Sequence, residues 1–327
     1  MIFMKTDAPL SEPRTLIEAI RYFADPDVTL RTMVELRWPS GVHCPTCGRT
    51  DVRFIATRRL WECKEKHPRR QFSAKVGTIF EDSPIDLGKW FAAIWMVANC
   101  KNGISSYEMH RALGVTQKTA WFMDHRIRLA MQTGTFLKMS GEVEADETFI
   151  GGLAKNMHRH VRERKIKGTG GAGKAAVLGI VERGSDKGAS RVKTVHVPNV
   201  RRRTLAPEVR AAVEAGSHLY TDALKSYLGL SDAYTHEMID HAIEFVREKV
   251  HTNNIENFWS LLKRTLRGTY VSVDPAHLSR YLDEQTFRFN EREYKDGDRF
   301  RKVASSVTGK RLTYVELTRD DPSPAPT

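Results

Sequence analysis

Residues 251–266, HTNNIENFWSLLKRTL, place Ile255, Phe258, Trp259, Leu262 and Leu266 at i, i+3, i+4, i+7 and i+11, one apolar stripe along a helix. Glu256, Ser260, Lys263 and Arg267 run beside it at helical spacing, as a solvated flank or as something more. A second helical stretch, at 276–290, follows. From 141 to about 240 the period shortens to strand-like runs: EVEADETFI, AAVLGIVER, SRVKTVHVP, HLYTD and HEMID. One helix interrupts them, TLAPEVRAAVEAG, with Thr204 as its expected cap and Gly216 as its stop. Residues 76–135 are helical by pattern. In ISSYEMHRALGVTQKTAWFMDHRIRLAM, Ser105 and Glu108 form a capping box, Gly114 breaks the helix, and Thr116 can cap a second one running through Arg128. The N-terminal stretch carries one amphipathic helix, TLIEAIRYFAD, and the tail RDDPSPAPT is Pro-rich.

These textures predict a multidomain α+β chain: a helical leader at 1–35, a turn-rich cysteine module at 36–75, and a helical module at 76–135. A mixed strand-and-helix domain at 140–300 follows, with a basic insert at 153–174, and then a partly disordered tail at 301–327. At 327 residues, two or three domains are expected.

The chain is 40% hydrophobic and 28% charged, with a mean hydropathy of -0.46. Its most apolar run, WFAAIWMVANC at 90–100, falls short of the roughly 20 residues a bilayer needs, so no membrane partner is expected. The opening MIFMKTDAPLSEP lacks a basic region followed by an apolar one, so no secretory signal is expected. Four cysteines do not make a disulfide scaffold at this length, and a reducing, cytoplasmic setting is the expectation. The net charge of +12 favours an anionic partner, most commonly nucleic acid. Residues 155–174 hold seven Lys or Arg, among them Arg159, Arg162 and Arg164, against one acid; Arg201, Arg202 and Arg203 form a second knot. The glycines at 168, 170, 171 and 173 suit a solvated loop as well as an arm that orders on DNA phosphates.

Cys44 and Cys47 in CPTC let two thiolates share one metal, and Cys63 with His67 in CKEKH supplies a second pair. Such pairs on two turns describe a zinc ribbon with a structural Zn²⁺ held by Cys44, Cys47, Cys63 and His67, around which Phe54, Trp61 and Phe72 are expected to pack. Cys100, in an apolar run, reads as a small core residue. The two helices around Gly114 fit a helix-turn-helix offering Gln117, Lys118 and Trp121 to a major groove, and they equally fit a plain αα-hairpin. Their place after a ribbon in a basic chain favours DNA binding.

In EVEADETFI, Glu142, Glu144 and Asp146 share one strand face, where they repel unless cations offset them. Asp222 ends an apolar strand and Glu256 lies near the start of its helix. Two Asp on strands and a Glu on a helix can converge on a pair of Mg²⁺ ions, which suit oxygen ligands and phosphoryl transfer. Glu144, Glu147, Asp232 and Asp240 are further acids without an assigned task, Glu144 being the best placed to support the site from behind.

The module order and the phrases QFSAKVGTIFEDSPIDLGKWFAAIW, ADETFIGG, YTDALKSY, HTNNIENFWSLLKRTLRGTY and HLSRYLDEQTFRFN resemble bacterial insertion-sequence transposases of the zinc-ribbon, DDE type, over about residues 36–292. The resemblance implies an RNase H-like catalytic domain in which Asp146, Asp222 and Glu256 bind Mg²⁺ (or Mn²⁺). Lys263, nearly two turns along the same face from Glu256, would then meet a phosphate beside the metals, with Arg267 a further DNA contact. His67 is a departure, since four cysteines are expected in many such ribbons. The implied activity is binding of terminal inverted repeats, phosphodiester hydrolysis, and strand transfer into target double-stranded DNA. The expected assembly is a homodimer or larger synaptic complex, in a bacterial, nucleoid-associated setting. A zinc-containing DNA-binding regulator with a non-catalytic RNase H-like domain, or a nuclease of that fold, are the alternatives.

Overall fold

The computed structural model describes residues 12–132, 137–151, 159–160, 173–185, 188–222, 225–239 and 251–319. The described residues of Met1–Met131 and Tyr294–Asp321 form one compact unit, and those of Gln132–Glu293 form another.

The first unit opens with two helices where the pattern predicted one. α1 spans Leu16–Tyr22 under a Thr15–Glu18 capping box. α2 spans Pro26–Arg37, with Asp25 as its cap and proline in its first turn. The Asp25-Pro26 start is a stop-and-restart signal that splits the apolar periodicity. A three-stranded antiparallel sheet follows, β1 (Val52–Ile55), β2 (Leu60–Cys63) and β3 (Gln71–Phe72). Trp61 and Phe72 are buried in it, and Trp38, just past α2, sets its ring edge-on to Trp61 at 5.6 Å. Phe54 touches the Trp61 ring at 5.0 Å but stays 44% exposed, so Trp38 fills the place expected of it.

α3 (Leu87–Asn99) is the axis of this unit, with Trp90, Phe91 and Ala93 to Ala98 all buried. A helix apolar on every side needs neighbours on every side, and α1, α2 and α5 supply part of them. Cys100 is the C-cap of α3 and half-buried rather than a core residue. α4 (Ser106–Leu113) has the expected capping box and ends on Gly114 at φ 62, the left-handed turn that favours glycine. α5 (Gln117–Met131) starts where Thr116 Oγ1 accepts from the Thr119 amide at 3.1 Å.

The second unit is built on a five-stranded sheet of order β6-β5-β4-β7-β8. β4 (Glu142–Ile150), β5 (Ala175–Glu182) and β6 (Arg191–Val197) form an antiparallel meander. α6 (Arg202–Ala212) crosses over to β7 (His218–Asp222), parallel to β4, and β8 (Thr235–Ile239) pairs parallel to β7. Thr204 is inside α6 rather than its cap: the Asn199 carboxamide oxygen accepts from the Arg201 amide and the Thr204 hydroxyl, and so organises that end. Gly216, at φ 86, serves the turn into β7 and not the helix stop.

β4 alternates strictly. Val143 and Ala145 join a core with Leu178, Ile180, Leu219 and the α6 residues Leu205 and Val209. The opposite face carries Glu142, Glu144 and Asp146 toward α7 (Asn253–Gly268), whose Ile255, Phe258, Trp259 and Leu262 form a second core with Val177, Val181 and α8 (Leu278–Asn290).

The chain then rejoins the first unit. α9 (Asp296–Ser305) packs Phe300 against Phe91 and Trp95 of α3, at ring distances of 5.5 and 5.6 Å. α10 (Tyr314–Thr318) has its own Thr313–Glu316 capping box. Residues 301–319, expected to begin a tail, are therefore ordered parts of that unit, held for example by Arg126 Nε donating to the Leu312 carbonyl at 2.9 Å. Among the described residues no helix is long and apolar enough to cross a membrane.

Candidate active site

β4 and β7 lie side by side at the centre of the sheet, with Ala145 opposite Thr221, so Asp146 and Asp222 follow together at the point where β7 ends. The two side chains share the face that α7 covers. Asp146 is held there by Trp259, whose Nε1 donates to its Oδ2 at 2.9 Å. That contact depends on Gly179, the β5 partner of Asp146, because a Cβ at Gly179 would lie 2.5 Å from two atoms of the Trp259 ring. A glycine inside a strand usually weakens it; here it lets an indole approach the sheet closely.

Glu147 belongs by alternation to the other face, yet its carboxylate joins the cluster. Asp146, Glu147 and Asp222 each offer an oxygen within 4.8 Å of the others. Burial pushes the Asp146 carboxyl up to about 6, with the charges of Asp222 and Glu256 adding to the effect. Burial likewise pushes Glu147 up to about 8, reinforced by Asp222 and Asp146. Glu147 Oε1 is buried, and the buried Tyr227 hydroxyl beside the carboxylate offsets part of that burial. Crowded, largely buried acids are the environment a hard divalent cation relieves, so this donor set fits one. Glu256 lies on the exposed flank of α7, and Thr252 Oγ1 donates to its Oε1 at 3.3 Å. Its charge reaches Asp146, but its oxygens are not part of the tight cluster. Lys263 is half-buried two turns on and Arg267 is exposed.

In the first unit, Cys44, Cys47, Cys63 and His67 likewise bring one ligand atom each within 4.8 Å of the rest. Cys44 Sγ is 3.4 Å from His67 Nε2, and Cys47 Sγ is 3.6 Å from Cys63 Sγ. A tetrahedron with Zn–S near 2.3 Å has edges of about 3.8 Å, so these two separations and the 4.8 Å bound on the rest suit a closed zinc site. Two turns build it: the Gly48 amide donates to the Cys44 carbonyl at 2.8 Å, and the Cys63 amide to the Arg70 carbonyl at 2.9 Å.

Known proteins give the family. Residues 138–290 match the model described as "ISXO2-like transposase domain", and residues 27–66 match "Transposase zinc-ribbon domain". An "Uncharacterized transposase-like protein" of Haemophilus influenzae is 38% identical over 107 residues, 32% of this chain and 85% of the relative. The chain belongs to the insertion-sequence transposases of the zinc-ribbon type. An "Uncharacterized protein in transposable element ISH50" of Halobacterium salinarum is 26% identical over 275 residues, 80% of this chain and 90% of the relative. No solved structure matches at the same stringency.

The transposase match coincides with the second unit, and the ribbon match stops one residue short of His67. The ribbon family and the four-ligand cluster together support a structural zinc, and the two families imply DNA as the partner. Of the expected groove-reading residues, Gln117 Nε2 donates to Ser106 Oγ at 2.9 Å and Lys118 sits over the Tyr314 ring at 4.4 Å. Both are thus engaged inside their own unit. Arg159 is exposed, while Arg162, Arg164 and Asp240 lie outside the described residues. Glu147, Trp259 and Gly179 were not expected at the site. Trp259 counts as core by its stripe position, and Glu147 falls on the wrong strand face by alternation.

Proposed function

We propose that this transposase is a DDE-type enzyme with an RNase H-like catalytic domain, in which Asp146, Asp222 and Glu256 hold the divalent cations, Mg²⁺ or Mn²⁺, that serve cleavage of a DNA end and strand transfer. The observation that carries this is the side-by-side placement of Asp146 and Asp222 on adjacent parallel strands, under a helix that brings Glu256 to the same face. A three-strand meander followed by a helical crossover to two parallel strands supports the RNase H-like assignment.

The cations, when bound, would stabilise both the attacking and the leaving oxygen of phosphodiester displacement. The protein's own part is placement. The Trp259 indole fixes the rotamer of Asp146, and the strand register fixes Asp222 beside it. Lys263 offers a cation to the phosphate that enters beside Glu256. Glu147, crowded against both aspartates, serves as a further oxygen donor or keeps a proton when the cluster is empty. The ribbon and the α4–α5 pair, read as a helix-turn-helix, recognise the inverted repeats, and the basic insert follows the phosphate backbone. Two or more copies would hold both element ends in one synaptic complex.

The test is cleavage of end-labelled inverted-repeat DNA in Mg²⁺, run beside a binding assay. Asp222→Asn, which keeps size and removes charge, should bind the ends normally and lose cleavage by orders of magnitude. Normal cleavage by Asp222→Asn removes it from the site.

A further inference from the structure

The helix that carries Glu256 is not capped by the side chain of its own N-cap residue. The first amides of a helix have no intrahelical acceptor, and a Ser, Thr, Asp or Asn at the N-cap normally supplies one. At α7 the N-cap is Thr252, and its side chain accepts from no helix amide; its hydroxyl donates to Glu256 instead. The Asn253 amide has a local acceptor in His251 Nδ1 at 3.4 Å, and the acceptor for the next two amides comes from 110 positions away. Glu144 Oε2 accepts from the amides of Asn254 and Ile255, both at 3.0 Å, and Oε1 accepts from Asn254 Nδ2 at 2.7 Å. Ile255 immediately precedes Glu256, and Glu144 lies two residues before Asp146 on the same strand face.

Glu144 is fully buried. A buried carboxylate is costly unless paired and hydrogen-bonded, and here it is both. Arg183, just after β5, donates from Nε to Glu144 Oε1 at 2.7 Å, from Nη1 to Glu142 at 3.1 Å and from Nη2 to the His251 carbonyl at 2.7 Å. His251 Nδ1 lies 3.4 Å from Glu144 Oε1. With about four acceptor positions on a carboxylate, those of Glu144 are filled, so it is no cation ligand. Stability alone is a weak reason for such a device, because buried ion pairs can often be replaced by apolar groups at no loss. What an apolar group could not do is tie one helix end to one strand position at hydrogen-bond precision.

We propose that Glu144 is a positioning residue of the active site: it caps α7 from β4 and so sets Glu256 at a fixed distance from Asp146, with Arg183 as its clamp. This rests on Glu256 being a cation ligand, as proposed above. A negative charge at a helix N-terminus is favourable in itself, but the consequence here is geometric, since one stretch of β4 holds one acid of the site directly and another through the helix end.

The experiment uses the full chain and three substitutions: Glu144→Gln, Glu256→Gln and the pair together. Mn²⁺ affinity is measured by calorimetry, Mg²⁺ dependence by cleavage of end-labelled DNA, and the cap by hydrogen exchange at Asn254 and Ile255. Residues that orient metal ligands typically change metal affinity by about 10- to 100-fold. Glu144→Gln should therefore raise the half-saturating Mg²⁺ by that factor and speed exchange at the two amides while DNA binding persists. In the Glu256→Gln background it should weaken Mn²⁺ binding no further, because coupled residues are not additive. Arg183→Lys, which keeps the charge and loses the fork, should shift Mg²⁺ dependence in the same direction by less. Wild-type Mg²⁺ dependence in Glu144→Gln, or a shift that adds fully to that of Glu256→Gln, overturns the inference. If Glu144→Gln does not fold, an unshifted Arg183→Lys overturns it equally. Normal Mn²⁺ affinity and cleavage in Glu256→Gln would strike the triad first and the cap with it, whereas failure confined to the Glu144 and Arg183 variants leaves the triad standing.

Discussion

The ribbon and the carboxylate cluster gather comparable sets of ligand-type side chains by opposite means. In the ribbon, Cys44 with Cys47 and Cys63 with His67 arrive as two short sequence pairs, and two tight turns bring them together. Little apolar surface surrounds them beyond Trp38, Trp61 and Phe72. In the sheet, Asp146 and Asp222 come from strands separated by two further strands and a helix, and it is the register of a large buried sheet that sets them side by side. The first arrangement is of the kind that draws its folding energy from a metal. The second is folded first and then crowds charges that a metal can relieve.

The most forceful way to break that contrast is to remove the zinc. Cys63→Ser should release it and unfold the ribbon, since metal binding supplies about 10–16 kcal/mol of folding energy in small zinc modules. Amide protection in β4 and β5 should persist. Metal analysis with hydrogen exchange reads both, and a zinc-free ribbon that keeps its protection contradicts the account. Retained zinc in His67→Ala would point to another fourth ligand.

The sheet site should respond instead to shape. Gly179→Ala puts a methyl into the Trp259 ring, and overpacking of this kind costs about 1–3 kcal/mol. The melting transition of the second unit should fall accordingly, and cleavage should fall further than stability because Trp259 no longer holds Asp146. An unchanged melt and unchanged cleavage would show that the close packing is not required.

Lys263→Ala removes the proposed phosphate contact and no proposed cation ligand, so cleavage should drop by about tenfold, ~1.4 kcal/mol in the barrier. A loss as large as that of Asp222→Asn would make Lys263 part of the chemistry itself. Smallest of all, Arg159, Arg162 and Arg164 changed together to Ala should lower the slope of log K against log salt by about 0.9 per lost phosphate contact. An unchanged slope means the insert is a solvated loop.

The same contrast explains what could be read from the sequence. The ribbon ligands were legible because close spacing is itself the signal. The α4–α5 turn was legible because Ser105, Glu108, Gly114 and Thr116 are local signals. Asp146 and Asp222 could be placed at strand positions, because apolar alternation marks strands wherever they pair. Their adjacency could not be derived from pattern alone, as it depends on which strands neighbour each other. Glu147 was hidden because alternation assigns it to the opposite face, although its carboxylate lies within 4.8 Å of the two aspartates at the point where β7 ends. Glu144 looked like one of several acids, since its partners Asn254, Ile255 and Arg183 are distant in sequence. The helices after residue 295 were missed for a related reason: α9 is polar by composition, and the contacts that order it, with Phe91 and Trp95, belong to the other end of the chain.

The central claim is that the sheet centre and α7 together hold the cations at which DNA is cut. Crystals of the full chain grown with Mn²⁺ and a DNA end, recorded at the manganese absorption edge, test it most directly. The account predicts anomalous density between Asp146, Asp222 and Glu256, lost in Asp222→Asn. Density elsewhere, or none at these carboxylates while the DNA end is bound, would contradict it.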